Sequence, residues 1–127
     1  MTRILLVDDS DDVRRSVRAV LAGAVPDPAI GEAADAAGAL ALLAQQRWDV
    51  VVLDLSLPDR SGLETLRDIR RLQPALPVVV MSFHGEVEYA AAARAAGAAS
   101  YIAKGSPAGV IADAITSALS GTAPARS

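Results

Sequence analysis

Val50-Val51-Val52-Leu53 runs without a polar residue straight into Asp54, and this pattern recurs along the chain. Short apolar runs rich in β-branched residues, with no polar alternation, are strands buried on both faces, as in a parallel sheet. Ile4-Leu5-Leu6-Val7 ends likewise in Asp8-Asp9, Val78-Val79-Val80-Met81 in Ser82, and Tyr101-Ile102-Ala103 in Lys104. Sites in open parallel sheets form beyond the carboxyl ends of the strands. The four runs therefore carry three acids, a hydroxyl and an ammonium toward one edge of one sheet.

Between these runs the apolar spacing becomes helical, the alternation of an α/β domain. A first helix is expected from Ser10 or Asp11, either of which can cap it, with Val13, Val17, Val20 and Leu21 on one face. Gly23 and Val25-Pro26-Asp27-Pro28 are expected to end it. A weak strand near Ala29 to Ala33 precedes a helix from about Asp35 to Gln46, anchored by Leu40 and Leu43. Pro58 and Gly62 bracket a turn before a helix lined by Leu63, Leu66 and Ile69. A mostly alanine helix from Glu86 to Ala96 should stop at Gly97, a left-handed cap. Ser106 and Pro107 suit the N-cap and first residue of a last helix whose apolar face is Val110, Ile111, Ala114, Ile115, Ala118 and Leu119. Residues 1–120 read as one domain, and 121–127 as a flexible tail or the start of a linker.

Parallel crossovers are nearly always right-handed, which leaves few ways to wind five β-α units. The expected fold is a flavodoxin-like, doubly wound (βα)5 sandwich on a parallel five-stranded sheet. Its strand order, 2-1-3-4-5, is taken from that fold class rather than from the spacing. In this order the first and third strands are neighbours, so Asp8, Asp9 and Asp54 share a crevice.

At 127 residues the chain is long enough for one sizeable core. It is 52% hydrophobic, yet no apolar run approaches the roughly 20 residues that span a bilayer. The absence of cysteine excludes disulfides and thiolate metal sites and fits a cytoplasmic location. A net charge of -3 leaves no footprint for direct nucleic-acid binding. Arg14, Arg15 and Arg18 have the spacing of a solvated helix face. Trp48, just before the third strand, reads as a packing residue.

Converging carboxylates repel by about 4 kcal/mol per pair at 4 Å and an effective dielectric near 20, so such a crevice holds protons or a cation. Hard oxygen donors without neighbouring His or Cys favour Mg²⁺ over a transition metal. A loop that cradles phosphate on its own backbone needs glycines, whereas this one reads Asp8-Asp9-Ser10-Asp11-Asp12 and repels a nucleotide. Asp54 is the candidate nucleophile, because a carboxylate can attack phosphorus in line and become an acyl phosphate. Lys104 and a metal would offset the developing charge, and Ser82 is placed to donate to a phosphoryl oxygen. Each residue alone has a plainer reading as turn former, cap or loop lysine. Their arrival at one edge from four strands is what points to chemistry.

From Ile4 to about Leu119 the chain resembles the receiver domain of two-component response regulators. The likeness rests on Leu6-Val7-Asp8-Asp9, on Asp54-Leu55-Ser56-Leu57-Pro58 with Gly62, on Ser82, on Ala96-Gly97-Ala98, and on Tyr101 with Lys104. The stretch from Glu86 through Lys104-Gly105-Ser106 to Ala114-Ile115 most resembles NarL/FixJ-type receivers, which normally precede a helix-turn-helix DNA-binding domain. The resemblance implies that Asp54 is the phosphoacceptor for a sensor histidine kinase. It implies Mg²⁺ held by Asp9, Asp54 and the Ser56 backbone carbonyl, with Asp8 acting through a water. Lys104 would contact the phosphoryl group, Ser82 would move toward it, and Tyr101 would turn inward. Ser56 and His84 occupy positions that tune hydrolysis of the acyl phosphate. The helices allow a homodimer, through the first and last helices or the face of helix 4, strand 5 and helix 5.

Two departures from the commonest pattern stand out: Ser82 replaces Thr, and Gly105 rather than Pro follows Lys104. The expected function is a phosphorylation-dependent switch that controls an effector domain and catalyses only its own phosphorylation and dephosphorylation. The alternatives are a stand-alone receiver acting through protein partners and an aspartyl-phosphate phosphatase. The second of these usually needs an Asp two residues beyond the nucleophile, where Ser56 stands.

Overall fold

The structure is a computed structural model and describes residues 1–83 and 87–121. Five strands alternate with five helices: β1 (Thr2–Val7), α1 (Asp11–Ala24), β2 (Pro28–Ala33), α2 (Ala36–Gln45) and β3 (Val50–Asp54), then α3 (Gly62–Leu72), β4 (Val78–Ser82), α4 (Val87–Ala95), β5 (Ser100–Ala103) and α5 (Ala108–Leu119). All pairings are parallel, in the order β2-β1-β3-β4-β5, as expected.

Every residue of β3 and β4 is buried, which is why those runs carry no polar alternation. Period two sends alternate residues to opposite faces. Leu5, Val7, Val51, Leu53, Val78 and Val80 pack with Leu43, Leu66 and Ile69 of α2 and α3. Ile4, Leu6, Val50, Val52, Val79 and Met81 pack with Val17 and Leu21 of α1 and Ile111 and Ile115 of α5. Trp48 is buried, its Nε1 donating to the Leu42 carbonyl at 3.1 Å, so it is a packing residue.

The helix starts follow their caps. Ser10 Oγ accepts from the Val13 amide, and an Asp35 carboxylate oxygen accepts from Gly38. Gly97 has φ of +104°, the left-handed cap expected after α4. At Gly62 a Cβ would sit 2.3 Å from the Leu55 Cα, so only glycine lets α3 start against the end of β3.

Some boundaries differ from expectation. Gly23 lies inside α1, which runs to Ala24 and ends with the Val25 amide on the Leu21 carbonyl. A single glycine costs a helix only about 1 kcal/mol, so the proline pair beyond it sets the stop. Ser106 does not cap α5. Its hydroxyl donates instead to the Ala103 carbonyl at 2.6 Å, leaving Pro107 at the N-cap without a side-chain bond. Val110 is exposed, so the buried stripe of α5 is Ile111, Ala114 and Ile115.

Candidate functional site

The site follows from register. Val7 pairs with Leu53, so Asp8 and Asp54 leave β1 and β3 at the same level. Asp8 extends its strand by one bond, its amide donating to the Ala33 carbonyl at 3.0 Å. On the other side Asp54 pairs with Met81 and Ser82 with Ala103. The Lys104 amide then donates to the Ser82 carbonyl at 2.7 Å. The sheet therefore brings Asp8, Asp54, Ser82 and Lys104 to one edge.

Lys104 crosses that edge. Its Nζ lies 2.8 Å from Asp8 Oδ2 and 3.1 Å from Asp54 Oδ2, and its side chain is only 5% exposed. The other oxygens are held by local turns: Asp8 Oδ1 accepts from the Ser10 amide and Asp54 Oδ1 from the Ser56 amide. Asp8 and Asp54 are buried and Asp9 is exposed. One carboxylate oxygen from each of the three lies within 4.8 Å of the others. Three acids thus face one lysine, an arrangement suited to a further cation with oxygen ligands. Burial pushes the Asp54 carboxyl above its ordinary value, and the Asp8 charge adds to this. The Ser56 amide and Lys104 act in the opposite direction.

Ser82 is fully buried at the end of β4. Tyr101 is partly buried against the α2–α3 side of the core. The Ser56 amide engages Asp54, and Ser56 also forms an antiparallel bridge with Ser61 across the β3–α3 loop. His84 lies outside the described residues, as do the tail residues 122–127.

Three features escaped sequence reasoning. Arg14 is not solvated as expected of its cluster. Its side chain is only 12% exposed, Nη1 donates to the backbone carbonyl of Asp8, and Nε meets Glu32 Oε1 at 2.8 Å. Arg18 also pairs with Glu32, at 2.9 Å, but it stays exposed as expected, as does Arg15, bonded to Asp12. Phe83 follows Ser82 with its ring 4.8 Å from Lys104 Nζ. Asp59 reaches from the β3–α3 loop to the amides of Ala36 and Ala37, tying that loop to the start of α2. Those two bonds draw the Asp59 carboxyl below its ordinary value.

Residues 4–116 match the family model of the response regulator receiver domain. The response regulator UvrY of Escherichia coli K12 is 34% identical over 121 residues, which are 95% of this chain and 56% of that protein. The chain spans about half the length of the curated relatives it matches. Among solved structures, a LuxR-family two-component response regulator from Aurantimonas sp. SI85-9A1 is 37% identical with a TM-score of 0.87, over 97% of this chain and 89% of that one. The receiver domain of the NarL response regulator of Mycobacterium tuberculosis is 28% identical with a TM-score of 0.86, over 94% and 97%.

Proposed function

The chain belongs to the response regulator receiver domain family, in its NarL/FixJ-like branch, and we propose that Asp54 is its phosphoacceptor. The single observation that carries this reading is the Lys104 ammonium within 3.1 Å of both Asp8 and Asp54, in a pocket where, among the described residues, acids still outnumber bases.

The donor set fits Mg²⁺: hard oxygens, three carboxylates in reach of one another, and no nitrogen or sulfur ligand among them. Asp9, Asp54 and the Ser56 carbonyl would hold the ion directly and Asp8 through a water. Bound there, the ion neutralises the acids and polarises a phosphoryl oxygen. An Asp54 oxygen then bonds to phosphorus while the bond from phosphorus to the donor's imidazole nitrogen breaks, and the imidazole leaves with a proton. Lys104, no longer held by Asp54 once the site is loaded, meets the charge on the phosphoryl oxygens, and Ser82 donates its hydroxyl to one of them. Tyr101 turning inward would pass the change to the face of α4, β5 and α5.

The donor is a sensor histidine kinase and the chemistry is confined to the domain's own acyl phosphate. Ser56 and His84 tune its hydrolysis. Residues 1–120 make up the switch, and 121–127 lead toward a helix-turn-helix effector domain in the full-length protein, which acts in the cytoplasm and pairs with a second copy. Among the relatives, the activator DevR/DosR of Mycobacterium tuberculosis is DNA-binding, which supports an output of that kind. No helix among the described residues is long and apolar enough to cross a membrane.

Incubation with acetyl phosphate and Mg²⁺, followed by intact-mass measurement, tests the assignment. The parent should gain one phosphoryl group and Asp54→Asn none. An adduct that persists in the variant would move the acceptor elsewhere.

A further inference from the structure

Phe83 is 76% exposed, which alone says little, since single apolar side chains on a surface are ordinary. Its neighbourhood is not ordinary. The bond from the Lys104 amide to the Ser82 carbonyl fixes the loops after β4 and β5 side by side, one residue before Phe83. The Lys104 ammonium lies over the Phe83 ring, 4.8 Å from its centre, within the range of a cation–π contact. An ammonium has three donors. Asp8 and Asp54 face two sides of this one, and the ring covers a further side. That accounts for a charged lysine whose side chain is only 5% exposed.

We propose that Phe83 is a positioning residue for Lys104, its ring holding the ammonium against Asp8 and Asp54 as a resident counter-ion that an incoming divalent cation must displace. The inference rests on the metal-site reading above and extends it. Lysine and metal compete for the same carboxylates, so whatever stabilises the lysine-bound pair weakens metal binding by the same factor. The face of the ring acts through its quadrupole. Its hold on Lys104 therefore falls as fluorine withdraws electron density, with little change in ring shape. Phe83 thus sets the divalent-ion concentration at which the site loads, without itself touching the ion.

Two measurements on the full chain test this, with Phe83 replaced by tri- and pentafluorophenylalanine, by Leu and by Trp. Without metal, labelling of Lys104 by an activated acetyl ester, read by peptide mass, should speed up from Trp and Phe through the fluorinated rings to Leu. The full span should be about 3- to 10-fold, the factor expected of a partly desolvated cation–π contact. Mg²⁺ affinity by calorimetry should tighten in the same order and by a similar factor. Equal labelling rates along the fluorinated series would overturn the role of Phe83, as would rates that follow side-chain volume instead of ring charge. A parent that binds no Mg²⁺ at millimolar concentration would overturn the metal reading, while the labelling series would still decide whether Phe83 holds Lys104.

Discussion

Two groups of acids and bases stand near the carboxyl ends of β1 and β2, and they are balanced in opposite ways. In the crevice, Asp8, Asp9 and Asp54 face Lys104 as the one basic partner of their carboxylates among the described residues, and two of the three acids are buried. On the outer strand, Glu32 receives both Arg14 and Arg18 in a half-open position. The pKa directions follow. Burial lifts Asp54, whereas the bonds from Arg18 and then Arg14 depress Glu32. A carboxylate met by two guanidiniums at the surface has no unmet charge to offer a ligand. A buried set with too few bases retains the capacity to take up a cation.

The comparison breaks most visibly at Lys104. Replacing it with Met leaves Asp8 and Asp54 buried beside each other with no ammonium, and the loss of one partner from a buried pair costs about 3 kcal/mol or more. Urea unfolding at neutral pH should show a loss of that size. Millimolar Mg²⁺, or Asp54→Asn in the same chain, should recover much of it. A Lys104→Met protein as stable as its parent would mean that the crevice acids are already relieved by water or protons.

How much of this was legible beforehand depended on what kind of signal each residue leaves. Asp8, Asp54, Ser82 and Lys104 were readable because each closes an apolar run, and strand register delivers run ends to one edge. The place of Arg14 is not legible in the sequence, because helical spacing tells which residues share a face, not which strand end lies beneath that face. Its partner Glu32 sits on a strand with little apolar signal of its own. Ser61 caps α3, its hydroxyl accepting from the Leu63 amide. The signal was present, since Ser61 and Glu64 have capping-box spacing. Ser106 failed for the reverse reason: the pattern suited a cap, but the Ala103 carbonyl took its hydroxyl. Phe83 had no period to give it away.

Acid titration sharpens the contrast, because the two clusters contribute to stability with opposite sign. A folded-state pKa raised above the unfolded value, as at Asp54, gives stability that is fully present below the unfolded value, near the ordinary aspartate value of 3.8. It is lost as pH rises through the folded value. Asp54→Asn should therefore gain on its parent as pH climbs from about 4 through the raised folded-state value. Mg²⁺ affinity should fall as pH drops through the same range, because protons compete for the carboxylate. A gap between variant and parent that stays constant with pH would mean that burial does not govern Asp54.

Glu32 gives the smallest effect and the reverse sign. Its depressed pKa gives stability that is present above the unfolded value, near the ordinary glutamate value of 4.5, and lost as pH falls through the folded value. Glu32→Gln should thus destabilise at neutral pH, by about 1 kcal/mol or less, since the pairs are partly exposed and water screens them. Roughly 0.5 M salt should shrink the difference further by screening what remains. Arg14 adds a constraint that an isolated surface pair lacks, because the guanidinium that meets Glu32 also holds the Asp8 carbonyl. Chemical unfolding in low and high salt, followed by Mg²⁺ titration of the same variant, separates the two contributions. A salt-sensitive loss of stability with unchanged Mg²⁺ affinity marks Glu32 as a surface ion pair only. A weakened Mg²⁺ affinity that survives high salt would show the outer cluster holding the Asp8 backbone in place for the crevice.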